Sequence, residues 1–487
     1  MGKTEMNDTV CALATPVGGA LGIIRVSGDR AIAAVDALFH TQGKPLAERQ
    51  GYSLAYGTLR TTSGEEIDDA VISLFRAPHS YTGEDSVEIS CHGSRYVLNK
   101  VLDQLVLVGC RMARAGEFSQ RAFLNGKMDL SQAEAVADLI ASSNRATHQL
   151  AMSQLRGHFS SELVTLREQL LQLTTLLELE LDFSDHEDLE FADRTELLAL
   201  AQKIDTHITR LARTFETGQA IKQGFPVAIV GKTNVGKSTL LNRLLHDERA
   251  IVSDIHGTTR DTIEDTIELQ GITFRFIDTA GLRQTSDEIE QIGITRTYAA
   301  IDKARIVLWL IDTAPTEAEL QEMQTRCADK KLLLIQNKID LTHCAPSSAS
   351  ASDPASESAP TSASAPASTS TFISASASSF TPDSVLAISA KHGTNIDALE
   401  AAIYAAADIP ELSSQDVIVT NARHYEALTR AHATLQRVLD GLNANLSGDL
   451  LAEDLRQTLE ALAEITGGAI TPQETLNNIF SHFCVGK

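Results

Sequence analysis

The chain has 487 residues, enough for about three domains of ordinary size, and its 43% hydrophobic content is that of a folded protein. No run of 18 apolar residues occurs, so a membrane-spanning helix is not expected. With 64 acidic against 41 basic residues the net charge is −23, which argues against polyanion binding by the surface as a whole; any RNA contact has to be local or supplied largely by a partner. Cys11, Cys91, Cys110, Cys327, Cys344 and Cys484 are scattered without a C-x-x-C, so neither a zinc site nor a disulfide framework is suggested. The N-terminus lacks a basic stretch followed by an apolar core, so secretion is not expected and a reducing cytoplasm fits.

In chain order, residues 1 to about 127 read as α+β. Val71–Phe75 and Val87–Cys91 are strand-like, and frequent glycines punctuate the region. Ser131-Gln132-Ala133-Glu134 reads as a capping box that opens a long helical pattern reaching about Leu181. A further helix is expected over Thr195–Gly218. At Phe225 the character turns to α/β. Phe225–Val230 is an apolar run of strand length, Gly231-Lys232-Thr233-Asn234-Val235-Gly236-Lys237-Ser238 follows, and Leu240, Leu241, Leu244 and Leu245 continue at helical spacing. This is G-x-x-x-x-G-K-S between a strand and a helix, the phosphate-binding loop. Backbone N–H groups of this loop and the positive helix end would face a polyphosphate, with Asn234, Val235, Gly236 and Thr239 among the nucleotide-binding residues. Lys237 would reach the β- and γ-phosphates, and Ser238 would ligate Mg²⁺.

Downstream strings extend the reading. Asp278-Thr279-Ala280-Gly281 follows a strand-like Thr273–Ile277; an acid there can hold Mg²⁺ through water, and the Gly281 N–H can sense a γ-phosphate. Asn337-Lys338-Ile339-Asp340 follows the apolar run Leu332–Ile335, and the Asp340 carboxylate can accept both N–H groups of a guanine edge, which adenine does not offer. Ser389-Ala390-Lys391 follows Val385–Ile388 and suits the guanine O6. Thr258-Thr259 stands where a threonine would complete the Mg²⁺ shell. A GTP-binding α/β domain is expected. Two departures bear on catalysis. Leu282 occupies the place of the water-orienting glutamine of small switches, so that group lies elsewhere, with Asp287, Glu288 and Glu290 as candidates. Asn234 can help coordinate a monovalent cation beside the phosphates, where positive charge would compensate the transition state.

Residues 345–384 are nearly all Ser, Ala, Thr and Pro and read as a disordered insert between Asp340 and Ser389. After about Ile409 the helical pattern returns. Leu428, Leu435, Leu439 and Leu442 suit one helix, Leu450, Leu451, Leu455, Leu459 and Leu462 the next, and Thr471-Pro472-Gln473-Glu474 a last one. The economical arrangement is one helical domain (128–223 with 410–487) into which a GTPase domain (224–409) is inserted, behind an N-terminal domain of 1–127.

Several strings together resemble the tRNA modification GTPase MnmE (TrmE) family. They are Asp8-Thr9-Val10 with Ala14-Thr15-Pro16, Gly22-Ile23-Ile24-Arg25-Val26-Ser27-Gly28, and Tyr81-Thr82-Gly83-Glu84-Asp85 with Glu88 and His92-Gly93. Arg114-Ala115-Gly116-Glu117-Phe118, Arg121-Ala122-Phe123-Leu124-Asn125-Gly126-Lys127, Asp129-Leu130-Ser131-Gln132-Ala133-Glu134-Ala135 and the ending Phe483-Cys484-Val485-Gly486-Lys487 complete the set. The resemblance covers essentially the whole chain outside 345–384. Thr233 departs from it, standing where the family usually has proline.

The resemblance implies a multidomain protein: an N-terminal folate-binding-like α+β domain, a discontinuous helical domain and an inserted Ras-like P-loop GTPase domain. It implies G domains that dimerise with GTP and K⁺ bound. K⁺ ligands would be Asn234, the carbonyls of Ser253 and Ile255, and Thr258, with Mg²⁺ on Ser238 and Thr259. The stretch Ser253-Asp254-Ile255-His256-Gly257-Thr258-Thr259 would line the nucleotide, and Glu290 would position the attacking water through a second water. Arg25, Glu88, Lys127 and Lys487 would hold a tetrahydrofolate one-carbon donor, a 5-formyl or 5,10-methylene derivative. The implied reaction modifies C5 of wobble uridine in certain tRNAs, giving an aminomethyl-type (carboxymethylaminomethyl) group. The family acts jointly with a flavoprotein, MnmG, to which FAD and NADH would belong. Cys484 invites a nucleophile reading, though an idle thiol is as consistent with the sequence. The rivals are a ribosome-assembly GTPase without modification chemistry, which leaves residues 1–127 unexplained, and a GTP-binding scaffold, against which Thr259, Asp278 and Gly281 argue.

Overall fold

The computed structural model describes residues 8–182, 194–247, 265–277, 290–342, 385–409, 417–468, 473–481, 483 and 486. By contacts the chain forms two units: Met1–Ser142 with His148–Phe215 and Ser414–Lys487, and Ser143–Thr147 with Glu216–Ser413.

In the first unit, the N-terminal strands are β1 (Val10–Leu13), β2 (Leu21–Ser27), β3 (Phe39–His40), β4 (Ser53–Arg60), β5 (Glu66–Phe75), β6 (Ser86–His92) and β7 (Arg111–Met112). They form a sheet of order β3-β4-β5-β6-β2-β1-β7, antiparallel except for the β1–β7 pair. Alternation along the strands fixes one buried face. Ile24 and Val26 of β2, Ile72 and Leu74 of β5, and Val87 and Ile89 of β6 point into a core shared with Leu98, Val101 and Leu105 of the helix Arg95–Leu107. The intervening residues face outward, and the β2–β6 register sets Arg25 directly opposite Glu88.

The rest of this unit is helical: Leu130–Ala141, Arg145–Leu155 from His148 on, His158–Asp182, Arg194–Gln223 as far as Phe215, Ala422–Asn443, Gly448–Thr466 and Gln473–Ser481. Its core combines Leu166, Leu170, Leu173 and Leu177 with Leu428, Leu435, Leu455 and Leu462, residues from both sides of the nucleotide-binding segment. Each such leucine contributes about 2 kcal/mol through apolar burial, so the two stretches fold as one domain around the insertion.

Two expectations change here. The N-cap of the helix Leu130–Ala141 is Asp129, not Ser131: the Asp129 carboxylate accepts from the Gln132 N–H at 2.8 Å, and the Gln132 side chain closes the box. Ser131 lies inside the helix, its hydroxyl donating to Asp129 at 2.8 Å. A carboxylate at the cap also suits the positive helix end. The long pattern to Leu181 is three helices, broken around Ser142–Asn144 and again at Gly157, whose φ of +83° favours glycine.

In the second unit, β8 (Phe225–Gly231), β9 (Asp265–Leu269), β10 (Ile272–Phe276), β11 (Ile306–Ile311), β12 (Lys331–Gln336) and β13 (Leu386–Ala387) form a sheet of order β13-β12-β11-β8-β10-β9. All pairs are parallel except β9–β10, which turn through Gln270 and Gly271, both at positive φ as a tight hairpin requires. Parallel strands buried on both faces become unbroken apolar runs, as in Ile306-Val307-Leu308-Trp309-Leu310. From β8 the chain builds first on one side, through β10, and then on the other, through β11. That reversal puts a topological switch point at the carboxyl end of β8, where open α/β sheets bind ligands.

Candidate functional sites

The phosphate loop leaves β8 at this switch point and ends in the helix Lys237–Asp247. Its glycines are required by space as well as by dihedral. Gly231 has φ +150°, and a Cβ there would lie 2.4 Å from the Leu310 carbonyl; at Gly236, φ +103°, it would lie 2.3 Å from Asn337 Nδ2. Asn234 adopts φ 60°, a left-handed conformation that asparagine tolerates better than most residues, and it is exposed at the loop surface. Lys237 folds back over the loop, its Nζ donating to the carbonyls of Gly231 at 2.6 Å and Lys232 at 2.8 Å. Burial pushes this ammonium below its usual pKa. An ammonium that meets these two carbonyls, with half-buried Ser238 at the helix start, makes a cradle fit for a polyphosphate and its Mg²⁺. Lys232 on the outer side of the loop pairs with Glu319 at 2.7 Å, which holds that carboxyl at about 2.

The base-recognition strings converge beside the cradle. Asn337, only 4% exposed, donates through Nδ2 to the Val235 carbonyl at 2.8 Å, and its Oδ1 accepts from the Ala390 N–H at 3.0 Å. Asn337 therefore ties the phosphate loop to the Ser389-Ala390-Lys391 turn, a role its place in the string did not reveal. Ser389 donates to Asp340 Oδ1 at 2.7 Å, which keeps that carboxyl below the usual range. Lys338, at φ 63°, pairs with Asp312 at 3.3 Å. The described residues thus bring together 234–239, Asn337, Lys338, Asp340, Ser389, Ala390 and Lys391. Residues 253–259, 278–281 and 345–384 lie outside them. Glu290 opens the helix Glu290–Lys303, but its side chain is also outside the described part.

A second constellation occupies the outer face of the N-terminal sheet. Arg25 donates to Glu88 Oε1 through Nε at 3.0 Å and Nη2 at 2.8 Å, and through Nη1 to the Gly486 carbonyl at 3.4 Å. Its guanidinium lies 5.3 Å from the Tyr81 ring and 5.6 Å from the Phe118 ring. Gly486 is held tightly, since a Cβ there would stand 2.2 Å from the Leu13 carbonyl. Lys127 donates to the Pro78 carbonyl at 3.0 Å, and its stem packs near Gly83. Arg25 and Lys127 thus meet one loop, 78–83, without a direct contact between them. Lys487 and Cys484 lie outside the described residues. Beneath the loop, buried Arg121 pairs with Asp8 at 2.6 Å, Glu84 at 3.2 Å and Glu117 at 3.1 Å; Glu117 stands four residues before it on the helix Glu117–Leu124, whereas linear spacing did not signal Asp8 or Glu84. Among the described residues no group of three or more His, Cys, Asp and Glu side chains is arranged to hold a metal, and no helix is long and apolar enough to cross a membrane.

A parallel sheet with a phosphate loop at its switch point, and a carboxylate seated by serine beside it, defines the class: a P-loop GTPase domain set within a larger protein. The chain belongs to the tRNA modification GTPase MnmE family. The family model for the MnmE helical domain matches residues 130–484, and that for the GTP-binding protein TrmE N-terminus matches 9–127. The chain is similar to the tRNA modification GTPase MnmE of Phocaeicola vulgatus, at 52% identity over all of both chains. It is 53% identical to that of Bacteroides fragilis and 50% identical to that of Bacteroides thetaiotaomicron, over 99% of each chain in both cases. It is a GTP-hydrolysing enzyme of this family.

Proposed function

We propose that the chain couples GTP hydrolysis to modification of wobble uridine at C5 in certain tRNAs, installing a carboxymethylaminomethyl-type group with a flavoprotein partner of the MnmG type. FAD and NADH belong to that partner, and the setting is cytoplasmic. The observation that carries the nucleotide half is the Asp340–Ser389 pair at 2.7 Å, tied through Asn337 to the phosphate loop. One carboxylate with its second oxygen uncommitted to serine suits the adjacent N–H groups of guanine.

Domain roles follow the boundaries 1–127, 128–223 with 410–487, and 224–409. In the GTPase domain Lys237 meets the β- and γ-phosphates, Ser238 and Thr259 hold Mg²⁺, Asp278 holds it through water, and the Gly281 N–H senses the γ-phosphate. K⁺ sits on Asn234, the Ser253 and Ile255 carbonyls and Thr258, compensating transition-state charge as the G domains of two copies pair. Exposed Asn234 with its side chain at the loop surface favours this reading. Glu290 positions water, because Leu282 has no hydrogen-bonding group. On the N-terminal sheet Arg25, Glu88, Lys127 and Lys487 hold a tetrahydrofolate derivative, which supplies the one-carbon unit when bound. The Arg25–Glu88 pair beneath Tyr81, with the Gly486 carbonyl alongside, favours a flat polar ligand there.

The experiment is GTP turnover in KCl against NaCl at equal ionic strength. At least tenfold faster turnover in K⁺, reduced toward the Na⁺ rate by Asn234→Ala, is expected; equal rates in the two salts overturn the K⁺ assignment.

A further inference from the structure

The outer face of the N-terminal sheet carries more than the Arg25–Glu88 pair. Register aligns Leu54 of β4 with Ser73 of β5, Ser73 with Glu88 of β6, and Glu88 with Arg25 of β2. Leu54 therefore lies on the same face as Arg25, three strand spacings or about 14 Å away. Around it the face is apolar and aromatic. Tyr52, Leu54 and Tyr56 are 74%, 66% and 68% exposed, and Val71 stands opposite Tyr56. Phe75 braces the Tyr52 ring edge-on, with the centroids 5.8 Å apart.

Two half-buried arginines border this patch, and backbone fixes both. Arg49 donates through Nε to the Lys44 carbonyl at 2.9 Å and through Nη1 to the Leu54 carbonyl at 3.1 Å. Arg76 donates through Nε to the Arg49 carbonyl at 3.1 Å and through Nη2 to the Ala47 carbonyl at 2.7 Å. Among the described residues the hydrogen-bond partners of both are carbonyls, which hold a guanidinium in place without neutralising it. Each keeps some of its five N–H groups for a further acceptor. Glu48 is the acid of this loop, against Lys44, Arg49 and Arg76, and Asp85 accepts from the Ala77 N–H at 2.9 Å. Glu66 and Asp69 lie toward the other end of β5, with Arg60 and Thr58. On a chain of net charge −23 this is a local exception.

We propose that this patch binds the unpaired loop of an RNA, with bases stacked on Tyr52 and Tyr56 and phosphates on Arg49 and Arg76. This rests on the reading of tRNA as the substrate. Stacking on an exposed ring needs a base that is free of a duplex, and every base has a face to offer. A guanidinium already held in one orientation meets a phosphate with both arms of its planar fork. The row from Leu54 to Arg25 then sets a loop bound here beside the place assigned to the one-carbon donor.

The test is binding of an anticodon stem-loop RNA with uridine at the wobble position, followed by fluorescence anisotropy over a series of KCl concentrations. The proteins are the full chain, Tyr52→Ala, Tyr56→Ala, Arg49→Gln and Arg76→Gln. Each tyrosine variant should weaken binding by about fivefold or more at every salt concentration, leaving the salt slope unchanged. Each arginine variant should weaken binding and lower the slope by about 0.7. GDP affinity, which reports the other unit, should stay the same in all four. Unaltered RNA affinity in the four variants overturns the proposal. Sedimentation of the same proteins reads the other occupant: if Tyr56→Ala lowers self-association and leaves RNA affinity unchanged, the face joins two copies of the chain and the proposal falls. An unsubstituted chain that does not bind the RNA also overturns it, but leaves wobble-uridine modification, read from the nucleosides of cellular tRNA, as a separate question.

Discussion

The side-chain amide of Asn337 donates to the carbonyl of Val235 at 2.8 Å across 102 residues of chain, and the same side chain accepts from Ala390. Base recognition and phosphate recognition are thereby one mechanical piece. Asn337→Ala removes the partner of the buried Val235 carbonyl in the phosphate loop and of the buried Ala390 N–H in the 389–391 turn. A loss of roughly 2 kcal/mol in the stability of the GTPase unit is expected from such orphaned groups, with a parallel loss of GDP affinity. Denaturant unfolding and calorimetry measure the two; wild-type values in both would show that the tie contributes nothing.

Gly236, the next residue, lies against the same amide nitrogen. Gly236→Ala drives a Cβ to 2.3 Å from Asn337 Nδ2 at a φ of +103° that disfavours any side chain. Nucleotide affinity should fall by about tenfold or more, while the N-terminal sheet, in the other unit, keeps its ligand affinity. A drop in both would mean global misfolding instead of a local clash.

Glu134 gives the helical domain an acid limit. Burial opposes its charge, but His424 Nε2 at 2.7 Å and Arg423 at 3.0 Å outweigh burial and hold the carboxyl at about 2. A group whose pKa is lower folded than unfolded contributes stability that is complete above about pH 4.5 and is lost as pH falls toward 2. Arg423 also donates to the Glu464 and Ile465 carbonyls at the end of the helix Gly448–Thr466, so the pair joins three helices. Glu134→Gln should cost roughly 3 kcal/mol at pH 7 and flatten the acid limb of a urea-midpoint profile between pH 4.5 and 2. An unchanged limb would assign that limb to other carboxylates.

Arg25→Ala removes both bonds to Glu88 and the one to the Gly486 carbonyl. Binding of 5-formyltetrahydrofolate, followed by fluorescence titration, should weaken by at least tenfold, with GDP affinity unchanged. Retained folate affinity would move the ligand away from this face.

The nucleotide site was legible because its chemistry is local. Gly231 to Ser238 carries its own turn, and each downstream string follows an apolar run that becomes β10, β12 or β13. What the sequence hid depends on distance along the chain. Asn337 and Val235, Glu134 and Arg423, and Arg121 with Asp8 and Glu84 meet only because sheets and helices bring remote segments together. The capping box was displaced by two residues because Asp129 and Ser131 both satisfy a cap pattern, and the carboxylate claims the helix end. The break at Gly157 was present in the sequence but outweighed by the apolar period on either side.

Mass analysis of tRNA nucleosides from cells lacking this chain reads out whether its GTP hydrolysis serves wobble-uridine modification. Loss of the carboxymethylaminomethyl-type group at wobble uridine is expected, restored by the intact gene but not by a Lys237→Ala copy that cannot engage the phosphates. A full complement of modified wobble uridine in the deletion strain would contradict it.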